Sequence, residues 1–223
     1  MAFPLNLPIY RQYPEMAPAI GACYAHPAHS KLLLVGESFY LPEGSSAHLD
    51  PVKWYAGDHR ALTEEERAWI CTESVIDSQN PQMIKSLTSA LSETAQSTNP
   101  AAEIWRHVAY MNFSLRPAPC KKSFKDIATP VDVQKSCENL VAVLKILKPD
   151  ILVLCSKYVC DCAESGAFRL WEYTEPMGIK YVYVNHPAQP CWNQVINPRY
   201  FHNQTSRDFF ISFLKENWAK DLF

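Results

Sequence analysis

Apolar residues in this chain come in short unbroken runs separated by stretches of helical period. Leu32, Leu33, Leu34 and Val35 form the first run, which stops at Gly36. Runs of this length suit strands buried on both faces, as in a parallel sheet. Residues 108–113 are the next strand candidate, with Arg116, Pro117, Ala118 and Pro119 expected to break it. Residues 151–155 and 181–184 supply two more.

Between the runs lie helix signals. Thr63 followed three residues later by Glu66 is a capping pattern. A second helix is expected from Pro81 toward Ala95, closed by residues 97–100. The clearest begins at Thr129: a capping hydroxyl, Pro130 at the first helical position and Asp132 at the electropositive end. Val133, Cys137, Leu140, Val141, Leu144 and Leu147 fall on one face of it, and Lys148-Pro149-Asp150 stops it. Residues 206–218 read as an amphipathic helix, residues 40–62 as a long loop, and the first 30 residues as an irregular segment. Strands alternating with helices predict an α/β fold, three-layer α/β/α with a central, mainly parallel four-stranded sheet. A single domain spanning 1–223 is expected, with an extra loop and helical segment at about 41–105.

Composition narrows the classes. With 48% hydrophobic and 20% charged residues over 223 positions, the chain has the profile of a globular domain. A net charge of -2 gives no basic excess of the kind non-specific nucleic-acid binding rests on. The 8 cysteines are irregularly spaced and no leader-like start precedes them, so reduced thiols and a cytoplasmic location are expected. No apolar stretch reaches the length of a membrane span, and no membrane partner is expected. His48, Asp50, Asp58 and His59 share one loop, but their spacing fits a solvated loop better than a zinc site, and no metal is expected.

In open parallel sheets ligands sit beyond the C-terminal ends of the strands. Gly36-Glu37-Ser38-Phe39-Tyr40 follows the first run, Asn112-Phe113 ends the second, Ser156-Lys157 follows the third, and Asn185-His186-Pro187-Ala188 follows the fourth. Three of these four ends carry a carboxylate, an amide or an imidazole.

The ordered set resembles the uracil-DNA glycosylase-like superfamily. Leu33-Leu34-Val35-Gly36-Glu37-Ser38-Phe39-Tyr40 looks like its first motif, Asn112 its strand-end asparagine, and His186-Pro187-Ala188 its last motif. Arg116-Pro117, Thr129-Pro130, Cys137 and Lys148-Pro149 follow the order of the iron–sulphur branch. The cysteine set of that branch is incomplete, so no cluster and no other cofactor is expected. Ser38, Phe39 and Ala188 stand where the family commonly has Asp, Pro and Ser.

The resemblance implies cleavage of the N-glycosidic bond of uracil or another deaminated or damaged base in DNA, single- or double-stranded. Glu37 would stabilise the oxocarbenium-like sugar and orient water. His186 would donate to the departing base's oxygen. Asn112 would read the base edge, and Phe113 or Phe39 would stack on it. Tyr40 would close a pocket that Gly36, Ser38, Pro187 and Ala188 help to line. Arg116, Arg199, His202 and Arg207 would meet phosphates. The competing expectation is a member of the same fold that binds nucleic acid, a nucleotide or a protein without chemistry. An unrelated α/β hydrolase ranks behind both, because no Gly-x-Ser-x-Gly elbow is present.

Overall fold

A computed structural model describes residues 3–79, 81–95, 101–165 and 168–218. The fold is α/β, with strands β1 (Ala19–Ile20), β2 (Leu32–Leu41), β3 (Val108–Pro119), β4 (Ile151–Leu154) and β5 (Lys180–Tyr183). They form one five-stranded sheet in the order β1-β3-β2-β4-β5. The pairs β2–β3, β2–β4 and β4–β5 are parallel, and only β1 runs antiparallel, against β3. The expected sheet of four strands is therefore corrected to five. The two residues of β1 pair with Tyr110 and Ala109 and are too few to show a period.

Two strands are longer than their apolar runs. β2 continues past Gly36 to Leu41, and β3 runs through the expected break to Pro119. Proline lacks the N–H a ladder needs and is confined to strands with an open edge. β3 has such an edge, because β1 covers it only at Ala109 and Tyr110. Pro117 and Pro119 lie beyond that pairing, where β2 alone continues alongside, with Leu41 opposite Pro119.

Side chains alternate across a strand, and here the two faces bury two separate cores. Leu33, Val35, Ala109, Met111, Leu152 and Leu154 pack on one face with Cys137, Leu140 and Leu144 of the helix Pro130–Leu147. Leu32, Leu34, Val108, Tyr110, Ile151 and Val153 pack on the other. Their partners are Leu87 and Leu91 of the helix Gln82–Thr94 and Phe210 and Leu214 of the helix Ser206–Asn217. Each such fully buried Leu or Phe contributes roughly 1.5–3 kcal/mol over an exposed one.

The local signals act as expected where they are local. Thr63 with Glu66, and Thr129 with Asp132, both close reciprocal capping boxes. The stretch 40–62 is not all loop: Asp50 accepts from the N–H groups of Val52 and Lys53 and caps a helix Pro51–Ala56. The rest of segment 41–105 is largely helical (Glu64–Trp69, Thr72–Asp77, Gln82–Thr94, Ala101–Trp105). The stop expected at residues 97–100 lies outside the described residues. Among the described residues no helix is long and apolar enough to cross a membrane.

Candidate active site

The chain leaves β2 for β3 on one side and later crosses to β4 on the other, so the strand order reverses at β2. Crevices form outside the strand ends at such a reversal. β4 stops with Leu154 opposite Val35, while β2 runs on beside β3. Glu37 thus stands two residues past the point where β4 leaves the sheet, over the start of the next helix. Ser156, the N-cap of the helix Lys157–Ala163, donates its hydroxyl to Glu37 Oε2 at 2.7 Å and accepts from the Tyr158 N–H at 3.2 Å.

His186 follows β5 in a turn pinned from several sides. The Asn185 N–H donates to Ser206 Oγ at 2.7 Å, and Asn185 Nδ2 to the carbonyl of Cys191 at 3.4 Å. The Gln189 N–H donates to the carbonyl of His186 at 2.9 Å. Trp192 is buried and packs edge-on against Phe210. The Ala188 N–H donates to His186 Nδ1 at 3.2 Å. An acceptor at Nδ1 places the proton of the neutral imidazole on Nε2. Burial pushes the imidazole's pKa down, and the negative charge of Glu37 works against that shift.

Glu37 and His186 line one cleft of about 510 Å³, together with Tyr40, Lys121, Lys122, Ser123 and Gln189. The expected carboxylate and imidazole therefore converge. The asparagine does not join them. Asn112, Ser38 and Tyr110 line a neighbouring cleft of about 530 Å³ walled by Phe39, Trp69, Val75 and Met83. The alternation of β2 explains the division: Glu37 shares a face with Val35, and Ser38 shares the opposite one with Gly36. Tyr40 borders both clefts.

Gly36 is required by close approach. A Cβ there would lie 2.3 Å from Tyr110 Oη and 2.4 Å from Asn112 Oδ1. The Tyr110 hydroxyl donates to that same Asn112 oxygen at 2.9 Å, which leaves the amide NH2 as the group this side chain offers a ligand.

Other expected residues lie elsewhere. Phe113 is 1% exposed and packs in the core with Val35 and Met111, so it offers no stacking face. Pro187 is buried, and neither it nor Ala188 borders either cleft. Arg116 is corrected from a surface phosphate contact to an interior ion pair. Its guanidinium grips Asp132 in a fork at 2.8 and 2.7 Å and donates to the carbonyls of His48 and Ile127. The two side chains are 3% and 0% exposed. Arg207 is paired with Glu93 at 2.6 Å, and Arg199 and His202, both exposed, do not line the cleft. The cations that do line it are Lys121 and Lys122, adjacent lysines after β3 whose only signal in the sequence is their charge.

The loop that holds His48, Asp50, Asp58 and His59 is otherwise engaged. Asp50 caps a helix, His59 stacks on Trp54, and His48 is buried with its pKa lowered to about 4, by burial first and by Arg116 second. Among the described residues no group of three or more His, Cys, Asp or Glu is placed to hold a metal ion. Compared with models of protein families and with curated proteins, this chain matches none.

Proposed function

We propose that this chain is a divergent uracil-DNA glycosylase-like hydrolase that cleaves the N-glycosidic bond of a deaminated or damaged base in DNA. On this reading the helices on both sheet faces form the three-layer arrangement of that superfamily, with β1 an added edge. The observation that carries the reading is the convergence of Glu37 and His186 on one cleft, each held by a neighbour. A carboxylate fixed by Ser156 suits a sugar that becomes positively charged and the water that attacks it. A neutral imidazole with its proton on Nε2 suits the oxygen of a departing base, where a preorganised donor acts like an oxyanion hole.

The separation of Asn112 from these two groups favours a second reading, in which the fold binds a nucleotide or nucleic acid without chemistry. One assay divides them. Oligonucleotides containing uracil, hypoxanthine or xanthine, single- and double-stranded, are incubated with wild type, Glu37→Gln and His186→Ala, then treated with alkali. Strand breaks with wild type and not with the variants are expected. Equal base release by all three removes Glu37 and His186 from the mechanism. No release from any substrate leaves the binding reading.

A further inference from the structure

We propose that the turn bearing Lys121 and Lys122 is an anion subsite of this cleft that takes a phosphate of the nucleotide unit whose sugar faces Glu37. The subsite rests on the proposed function of the cleft and adds the charge its ligand must carry. Lys121, Lys122 and Ser123 line the same cleft as Glu37 and His186. A neutral ligand would leave the lysines unused. A ligand with one phosphate beside the sugar meets an ammonium pair and a hydroxyl, the groups that position nucleic-acid backbones.

The turn is held in place. The Lys122 N–H donates to the carbonyl of Pro119 at 3.1 Å, and Lys121 takes a left-handed conformation with φ of 64°. Phe124, one residue past Ser123, is 1% exposed and anchors the turn in the interior. Arg116 lies over the Phe124 ring at 5.5 Å, fixed by its fork with Asp132. A buried ion pair thus supports the turn that carries two exposed lysines. Lys121 pairs with Glu43 at 3.2 Å, but the two side chains are 79% and 82% exposed. Such a pair is worth little, and a phosphate can displace it.

The phosphate can belong to a nucleic-acid chain or to a free nucleotide, and binding distinguishes them. Affinities of wild type and of Lys121→Gln/Lys122→Gln are measured for a short labelled oligothymidylate, for thymidine monophosphate and for thymidine, over a series of salt concentrations. Lys145→Gln/Lys215→Gln, whose lysines do not line the cleft, is the control. The expected result is a loss of about tenfold for a phosphate-bearing ligand and none for thymidine. For the oligomer, the slope of log affinity against log salt should shrink by roughly 0.7 for each phosphate that the lysines no longer neutralise. Loss confined to the oligomer assigns the subsite to a chain phosphate, and loss with the monophosphate assigns it to a free nucleotide. Unchanged affinities, an equal loss in the control, or no binding of either phosphate ligand by wild type overturns the proposal. Base release is not read in this experiment, so an inactive chain and a missing subsite give different results.

Discussion

The Ser156 hydroxyl joins two structures at once: it donates to Glu37 Oε2 at 2.7 Å and accepts from the first turn of the helix it caps, at 3.2 Å. The Glu37 carboxylate is thereby tied to the residues that follow β4. Ser156→Ala removes both bonds. Loss of the cap is expected to cost about 1 kcal/mol and to lower Tm by about 2–4 °C for a chain of this size. If the chain releases bases as proposed, release should fall further than that loss explains, in kcat more than in KM, and Ser156→Thr should restore it. A lower Tm with unchanged release would confine Ser156 to capping.

Gly36→Ala should be costly although glycine ordinarily weakens a strand interior. Its methyl would meet Tyr110 Oη, Asn112 Oδ1 and, at 2.8 Å, Met83 Cε. Overpacking of this kind costs about 1–3 kcal/mol. Adding Tyr110→Phe removes the nearest atom and should recover part of the loss in urea midpoint. No recovery would place the strain at Asn112 Oδ1 and Met83 Cε.

Acid should unfold the protein through two paired carboxylates. Burial works to raise the Asp132 carboxyl, but hydrogen bonds from Arg116 and Thr129 outweigh it and hold it below the usual range. The Arg60 hydrogen bond, opposed by burial and aided by the Thr63 N–H, lowers Glu66 to about 2. Both folded values are depressed, so their contribution is present above the ordinary carboxylate values of about 4 and is lost as pH falls through the lowered ones, about 2 for Glu66. Urea midpoints should decline over that window. Arg116→Met strands Asp132 and should cost about 3–5 kcal/mol at neutral pH, while Arg116→Met/Asp132→Leu should cost less. A cost as large for the pair as for the single variant would contradict this account.

On the proposed reading, His186 sets an expectation on the pH dependence of base release. Its folded pKa lies below the usual 6.5 because burial outweighs the charge of Glu37. The neutral form is therefore present at neutral pH. The stability it contributes exists above the unfolded value and is lost as pH falls through the lowered one. Protonation also turns Nδ1 into a donor and breaks its bond from the Ala188 N–H. On that reading, wild-type release should be level near neutrality and fall on the acid side, below 6.5, in step with protonation of the imidazole followed by NMR. A loss centred above neutral pH would assign the profile to another group.

The sequence by itself determined what depends on neighbours a few residues apart. The apolar runs mark β2 to β5, the Thr129–Asp132 box and the 3.6-residue stripe define the helix Pro130–Leu147, Gly36-Glu37 closes the first apolar run, and His186 follows β5. Each follows from backbone geometry and side-chain period alone. Only the tertiary structure decided which of these ends meet. Ser156 lies 119 positions from Glu37 in the chain and touches it because β4 pairs beside β2 and stops early. Arg116 has the pattern of a surface cation along the chain, and only the fold encloses it with Asp132 and two carbonyls. Asn112 is separated from Glu37 by the pleat of β2, which no count of motifs along the chain reveals. Pairing and burial act between segments distant in sequence, and local pattern carries no record of which segments those are.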